Sequence, residues 1–370
     1  MNPPAYIKFP ALLICDAQTA GLNVAALTLL DRLVVAVHRG GAGPITIVCA
    51  GEVPALKRTK ALSIPVTVVK EMPSVTTTTL VATTSLHVQT ADVKRLLQQG
   101  GRLLTKDGNP LPIGLISSLT QHLDAAFDSL PGLKAEGVAC SITDAASAKS
   151  AERALWASLT SSADGLVDKY FNRPCGRPLS KLLIHTPITP NMVSVTSIVT
   201  GIIAALFFAQ GDSRSIIIGA ILFQLSAIID CVDGDIARSV FKESPLGKWL
   251  DLAGDQVVHV SVFACIAIGL IRTEQTAFGT WLGISAVAGA ILSFVVIVRG
   301  MRFPPEDRNQ TLQKLIDSAT NRDFSVLVFF LACFQALEWF LWMTAIGSHV
   351  FWLIALALQP SAKKLQTVPR

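Results

Sequence analysis

Hydrophobic and polar positions divide the chain near Pro190. Before it, short β-rich runs alternate with segments of helical period; after it, long apolar runs follow one another with few charges. In the first half, residues 11–15, 45–48, 64–69 and 80–84 read as strands. Between them, residues 23–39, 54–62 and 91–99 carry helical spacing, and Thr90 is the expected N-cap of the last. Strands separated by helices predict a largely parallel sheet of α/β type. Residues 101–116, with Asp107-Gly108-Asn109-Pro110 in their middle, predict a hairpin-like excursion. Residues 144–159 predict an amphipathic helix leading out of this domain.

Residues 166–181 then place Lys169, Arg173, Arg177 and Lys181 at every fourth position. Such a basic face suits a helix on an anionic membrane surface, and Pro174 and Pro178 are expected to break it into two pieces. Beyond Pro190, six apolar runs predict transmembrane helices at 192–209, 215–231, 247–271, 277–298, 324–337 and 340–358. Several fall short of the roughly 20 residues a bilayer asks for. Glu338 stands between the fifth and sixth runs, and a count of five would move the C-terminus across the membrane.

Composition agrees with this division. Of 370 residues, 51% are hydrophobic and only 15% charged, which points to a membrane protein. The net charge of +5 gives no case for nucleic acid as a partner. No secretory signal is visible at the start, and the seven cysteines show neither paired nor metal-ligand spacing, so reduced thiols in a cytosol-facing protein are expected. The loops after the second and fourth spans hold Arg238, Lys242, Lys248, Arg299, Arg302, Arg308, Lys314 and Arg322, whereas the opposite loops hold Arg214 and Arg272. By the positive-inside rule, six spans put both termini and the soluble domain in the cytosol, in a multi-pass protein of the cytoplasmic (inner) membrane. The expected organisation is a cytosolic α/β domain over 1–160, a basic juxtamembrane helix over 161–185, an all-α six-helix membrane domain over 186–360 and a basic tail over 361–370. His38, His87, His122 and Asp16 have no partner readable from sequence and are expected as surface or satisfied polar residues.

One stretch carries the chemistry. Asp230-x2-Asp233-Gly234-x2-Ala237-Arg238 is followed, after eight residues, by Gly247-x3-Asp251-x3-Asp255. Carboxylates within apolar spans are expensive, about 2.5–3.5 kcal/mol each at a helix centre, so four of them together point to bound cations. Asp230 and Asp233 share one helix face, and Gly247, Asp251 and Asp255 share another. If the two helices are antiparallel neighbours, the acids converge at one membrane boundary. Hard oxygen ligands suit Mg²⁺, Mn²⁺ or Ca²⁺ rather than zinc. Gly234 and Gly247 would allow close backbone approach by a nucleotide, and Arg238 offers a fork for phosphate.

All eight specified positions resemble the signature of the CDP-alcohol phosphotransferases, integral membrane enzymes that build phospholipids and related phosphodiesters. The resemblance implies a metal-dependent transferase that uses a CDP-alcohol donor, releases CMP and works as a homodimer in the bilayer. It implies two Mg²⁺ or Mn²⁺ ions on Asp230, Asp233, Asp251 and Asp255, with Asp255 also the general base. It assigns the nucleotide to Gly234, Ala237, Arg238 and Gly247, and to Asn191 in the Thr-Pro-Asn entry to the first span. Arg299, Arg302 and Arg322 resemble positions that bind an acceptor's phosphate, so a polyol phosphate acceptor is expected, with the donor of CDP-diacylglycerol or CDP-inositol type.

The first domain resembles, more distantly, a nucleotidyltransferase of the sugar-nucleotide pyrophosphorylase kind. Where such domains hold a Gly-rich loop with Arg and Lys, residues 16–22 hold a single glycine and no basic side chain, and Ser85-Leu86-His87 stands where a metal-binding Asp is sought. The expectation is the fold without the chemistry; a bifunctional enzyme that also makes the CDP-alcohol is the alternative. A catalytically dead scaffold and an ion transporter are the readings from other classes.

Overall fold

The computed structural model describes residues 9–117, 123–160, 164–274, 278–303, 308, 310–319 and 322–359. It divides into two compact units, Met1–Leu159 with Ser239–Phe241, and Thr160–Arg238 with Lys242–Arg370. The expected basic tail 361–370, and His122, lie outside the described residues.

In the first unit, β1 (Ala11–Ile14), β2 (Asn23–Val24) and β3 (Leu27–Thr28) precede α1 (Leu29–Gly40). Then come β4 (Ile45–Val48), α2 (Lys57–Ala61), β5 (Val66–Val69), β6 (Thr79–Thr83), β7 (Leu86–His87) and α3 (Thr90–Gln99). The unit closes with β8 (Arg102–Leu104), β9 (Pro110–Ile116), α4 (Leu123–Asp128), β10 (Gly132–Lys134), β11 (Cys140–Ser141) and α5 (Ala145–Ser158). Seven strands form one sheet in the order β10-β8-β9-β6-β1-β4-β5. β1 pairs in parallel with β4 and β6, β4 with β5, and β8 with β10, while β9 runs antiparallel to both β6 and β8. The expected α/β sheet is therefore present, and the 101–116 excursion is the antiparallel β8–β9 pair. Leu13, Ile47 and Leu80 of the sheet share one buried core with Leu30 and Val34 of α1 and Val93 of α3.

Two local expectations change. Residues 23–28 form a two-stranded ribbon rather than the first turns of a helix, with Ala25 (φ 47°) and Ala26 (φ 64°) left-handed at its tip. Alanine resists that conformation; tertiary contacts hold it, since Ala25 N–H donates to Glu152 and Arg32 Nε donates to the Val24 carbonyl. Helix α1 starts only where Thr28 accepts from Asp31 N–H. Thr90 is the first residue of α3 rather than its cap, and Gln89 precedes it without a side-chain cap. Finally, α2 has no cap of its own: Asp31 reaches across from α1 to accept from Arg58 N–H (2.7 Å) and Thr59 N–H (2.8 Å).

His87 is buried, and neither ring nitrogen has a hydrogen-bond partner. Burial, with the Arg32 guanidinium adding to it, pushes its pKa down to about 3. The unfolded chain takes up that proton near pH 6.5, so the neutral ring's contribution is full above this value and is lost as pH falls toward 3. Unfolding of the full chain, followed by a probe in this unit, should therefore lose about 1.4 kcal/mol per pH unit below pH 6.5 from this one group. The His87→Leu variant should flatten that slope; an unchanged slope would exclude the ring as its source.

In the second unit a π-helical turn (Asp168–Asn172) runs directly into α6 (Arg173–Leu183). The prolines do not break this segment as expected: Pro174 sits in the first turn, where no N–H is needed, and Pro178 is carried inside the helix. Nor is the basic face wholly solvated, because Arg173 is buried. The helices α7 (Pro190–Phe208), α8 (Ser213–Ser239), α9 (Pro245–Arg272) and α10 (Gly279–Met301) follow, then α11 (Gln310–Ala319), α12 (Phe324–Cys333) and α13 (Leu337–Ala357). Five of them, α7 to α10 and α13, are long and apolar enough to cross a membrane. The fifth expected span differs: α12 has ten residues, a rise of about 15 Å against a hydrocarbon core of about 30 Å. It stops because Gln335 turns left-handed (φ 54°) and Ala336 N–H closes onto the Leu331 carbonyl, after which Leu337 opens the next helix. Small residues set the closeness of α7 and α9: a Cβ on Gly269 would lie 2.2 Å from the Phe208 carbonyl oxygen.

Candidate active site

The site forms where the C-terminal part of α8 meets the N-terminal part of α9. Ser244 caps α9, its hydroxyl accepting from Gly247 N–H at 3.0 Å, which fixes where Asp251 and Asp255 fall on the helix. Carboxylate oxygens of Asp230, Asp233 and Asp251 lie within 4.8 Å of one another. Three hard anionic donors at that spacing fit a divalent cation such as Mg²⁺ or Mn²⁺. Helix α7 supports them: Ser194 donates to Asp233, and Ser197 donates to Asp230 at 3.2 Å.

Asp255 lies outside that trio and is held differently. Arg322, which is 2% exposed, donates to Asp255 Oδ1 from Nε (2.8 Å) and Nη2 (2.5 Å). The same guanidinium reaches Asp230 at 3.1 Å and donates to the hydroxyls of Ser197 (2.9 Å) and Ser226 (2.7 Å). One cation thus binds α7, α8 and α9 together and faces two of the four acids. Its neighbour Asp323 accepts from Asp168 N–H (3.1 Å), tying the π-helical turn to the same point.

A cavity of about 310 Å³ opens beside the acids, lined by Asn191, Gly234, Ala237, Arg238 and Gly247 together with Asp233 and Asp251. All five residues expected at the nucleotide are therefore neighbours. Gly234 makes room for the Arg238 guanidinium, whose Nη1 would lie 3.0 Å from a Cβ there; at Gly247 a Cβ would meet Asn191 Oδ1 at 3.1 Å. Arg302 faces a separate cavity with Lys248 and Trp249, and Arg299 lines neither of these two. Of the three expected phosphate-binding arginines, Arg322 is the one that touches the acidic cluster.

A second polar cluster braces the motif from behind. Arg173 donates to both oxygens of Asp164 (2.5 and 2.6 Å) and to Asp235 Oδ1 (2.6 Å), and Arg238 reaches the same Asp235 oxygen at 3.3 Å. Asn172 bridges Asp168 (2.7 Å) and Gln224 (2.6 Å). Asp235, between the motif's Gly234 and Ile236, is thereby fixed to α6.

Residues 187–358 match the family model for CDP-alcohol phosphatidyltransferase. This stretch belongs to that family. Curated relatives agree: the bifunctional IPC transferase and DIPP synthase of Thermococcus kodakarensis is 36% identical over 109 residues, 30% of this chain and 24% of that protein. Its counterpart from Archaeoglobus fulgidus is 27% identical over 195 residues, 50% of this chain and 36% of that protein. The archaetidylinositol phosphate synthase of Pyrococcus horikoshii is 31% identical over 107 residues, 28% of this chain and 54% of that protein. The chain spans well under two thirds of the length of the relatives it matches. The family model supports a transferase.

Within this CDP-alcohol phosphatidyltransferase domain, sequence reasoning missed Ser194, Ser197, Ser226, Arg173 and Asp235. A signal existed for two of them: Asn191, Ser194 and Ser197 recur at every third position of an otherwise apolar helix. Removing Arg322 (Arg322→Met) would leave Asp230 and Asp255 without their cation and should lower stability by about 3–5 kcal/mol. Millimolar Mg²⁺ should restore part of that in a thermal melt of the detergent-solubilised protein, more than in the wild type. The Arg173→Met variant strands Asp164 and Asp235, and should cost about 3 kcal/mol with little recovery on adding Mg²⁺. Equal metal responses in the two variants would show that the clusters are not separate.

Proposed function

We propose that the membrane domain transfers a substituted phosphate from a CDP-alcohol to a hydroxyl of a polyol phosphate and releases CMP. The observation that carries this reading is the juxtaposition of a three-carboxylate cluster with a glycine-walled cavity holding Asn191 and Arg238. Asp230, Asp233 and Asp251 would hold the divalent ions, Mg²⁺ or Mn²⁺ and two in number by resemblance. When bound there, they supply charge neutralisation and polarisation to the donor's diphosphate.

The chain's own groups supply the rest. Gly234 and Gly247 admit the nucleotide close to backbone, Asn191 and Ala237 frame it, and the Arg238 fork faces phosphate. The acceptor's hydroxyl oxygen bonds to the β-phosphorus as the bond from that phosphorus to the bridging oxygen breaks. CMP keeps the bridging oxygen, and the acceptor's proton passes to the Asp255 carboxylate, which Arg322 holds in place. Arg322 is buried with its donors engaged by Asp255, Asp230, Ser197 and Ser226, so Arg299 and Arg302 are the groups left for an acceptor phosphate. The basic ends of α8 and α10 and the basic α6 support a cytosol-facing site, and by resemblance two copies pair through their membrane helices.

For the first unit we infer a structural rather than a cytidylyl-transferring role. Residues 16–22, at the carboxyl end of β1, are engaged with their own neighbours: Asp16 N–H donates to Thr84 Oγ1 (2.9 Å), and Gln18 N–H to Asp16 Oδ1 (2.9 Å). With no basic side chain in the loop, this edge offers little to a triphosphate.

The Asp255→Asn variant should lose at least about a hundredfold of CMP release while its affinity for the CDP-alcohol stays nearly unchanged. CMP release by the purified full chain with Mg²⁺ checks this, offering CDP-diacylglycerol and CDP-inositol in parallel, each with inositol phosphate and glycerol phosphate. Full activity in the variant would remove Asp255 as the base, and no release from any pair by the wild type would overturn the transferase reading.

A further inference from the structure

We infer that Asp235 is a positioning residue for the transfer: it anchors the Arg238 guanidinium at the wall of the nucleotide cavity, ready for the donor's phosphates. This rests on the phosphotransfer reading above. It adds a residue that the Asp230–Asp255 pattern leaves open, one of the two positions between Gly234 and Ala237.

An arginine that must meet a phosphate has a difficulty of its own. Its stem is long, its rotamer entropy is among the largest of any side chain, and ordering it on binding subtracts from affinity. The Arg238 side chain is 34% exposed, so burial alone does not fix it. Two neighbours do. Its Nη2 donates to Asp235 Oδ1 at 3.3 Å, an i, i+3 pairing along α8. Both terminal nitrogens also lie in the gap at Gly234, where a Cβ would be 3.0 Å from Nη1 and 3.1 Å from Nη2. Gly234 opens the slot, and Asp235 holds the guanidinium in it, beside the cavity that Gly234 and Arg238 line together.

Asp235 can serve as an anchor because it is fixed from the other side. It is buried, and the same Oδ1 accepts from Arg173 Nη1 at 2.6 Å. Arg173 in turn donates to both oxygens of Asp164, at 2.5 and 2.6 Å. The short links hold the anchor, and the long one holds the group that has to meet substrate. Arg173 also offsets the charge of Asp235, which therefore does little to repel a phosphate at Arg238.

The pairing of Asp235 with Arg238 is incomplete. Asp235 Oδ2 and Arg238 Nε are both buried without a hydrogen-bond partner. Buried polar atoms left open cost stability, and a guanidinium turned so that two of its nitrogens met both carboxylate oxygens would satisfy them. A pair built for stability alone would take that bidentate form. The single bond keeps the remainder of the fork for a ligand.

Calorimetric titration of the detergent-solubilised full chain with CDP, and with millimolar cytidine, tests this in the presence of Mg²⁺. Cytidine has no phosphate, so it reports the cavity without the fork. The Asp235→Asn variant should bind CDP roughly tenfold more weakly and cytidine as the wild type does. Arg173 keeps Asp164 in that variant, which protects the fold. In an Arg238→Gln background the same substitution should change CDP affinity by less than about twofold, because the anchor then holds nothing. CDP and cytidine weakened alike would mean a general structural role and would overturn the inference. So would unchanged CDP affinity, or an equal loss in both backgrounds. Tighter CDP binding would make Asp235 a repelling charge and overturn it too. Should the Asn variant not fold, Asp235→Glu, which keeps the charge and displaces the carboxylate by one methylene, has to show the same split between CDP and cytidine. A wild type that bound neither ligand would overturn the nucleotide reading and this inference together, whereas binding without the split overturns the inference alone.

Discussion

Everything in the membrane domain answers to one electrostatic constraint: acidic side chains must stand close together inside a bundle of apolar helices. Bringing carboxylates out of water is costly unless each gains a partner. The protein meets this with a single buried guanidinium, Arg322, that faces Asp255 and Asp230 at once and donates its remaining hydrogen bonds to Ser197 and Ser226. Asp233 and Asp251 are left without it, and there the three-carboxylate group forms. Asp230 belongs to both sets, so the arginine and the three-carboxylate group are joined through it.

The helices are fitted around that arrangement. Arg322 and Asp323 precede α12, so the guanidinium reaches the site from a chain segment rather than from a helix interior, and Asp323 secures the π-helical turn at its side. Behind the motif, Arg173 draws Asp164 and Asp235 into a second compensated cluster. The two networks hold the motif-bearing ends of α7, α8 and α9, with α6, by directional bonds, whereas the far ends rely on close backbone packing such as that at Gly211 and Gly269. Polar bonds fix orientation where chemistry is done; small residues fix distance where it is not.

The first unit is a largely parallel α/β sheet whose strand ends are closed by their own hydrogen bonds. Ligands of parallel α/β sheets gather at the carboxyl ends of the strands. At that edge, between β1 and β6, the protein has Thr19, Thr84 and Asp16 bonded to one another, with buried His87 beneath. An edge satisfied internally is stable and has little left to offer a phosphate.

Sequence by itself determined the α/β-then-membrane order, the sheet strands β1, β4, β5 and β6, and the convergence of Asp230, Asp233 and Asp251 with the glycines and Arg238. Each of these follows from local periodicity or from helix geometry, which act within one or two turns. It did not determine that α12 ends after ten residues, because the run 324–337 is uniformly apolar and the stop is a backbone turn at Gln335. It did not reveal the ribbon at Asn23–Thr28, whose left-handed alanines depend on Glu152 and Arg32 from distant positions. Nor did it assign Arg322 to Asp255, separated by 67 residues, or Arg173 to Asp235, separated by 62. Such pairings carry no spacing that a chain can display; only packing decides which charge meets which.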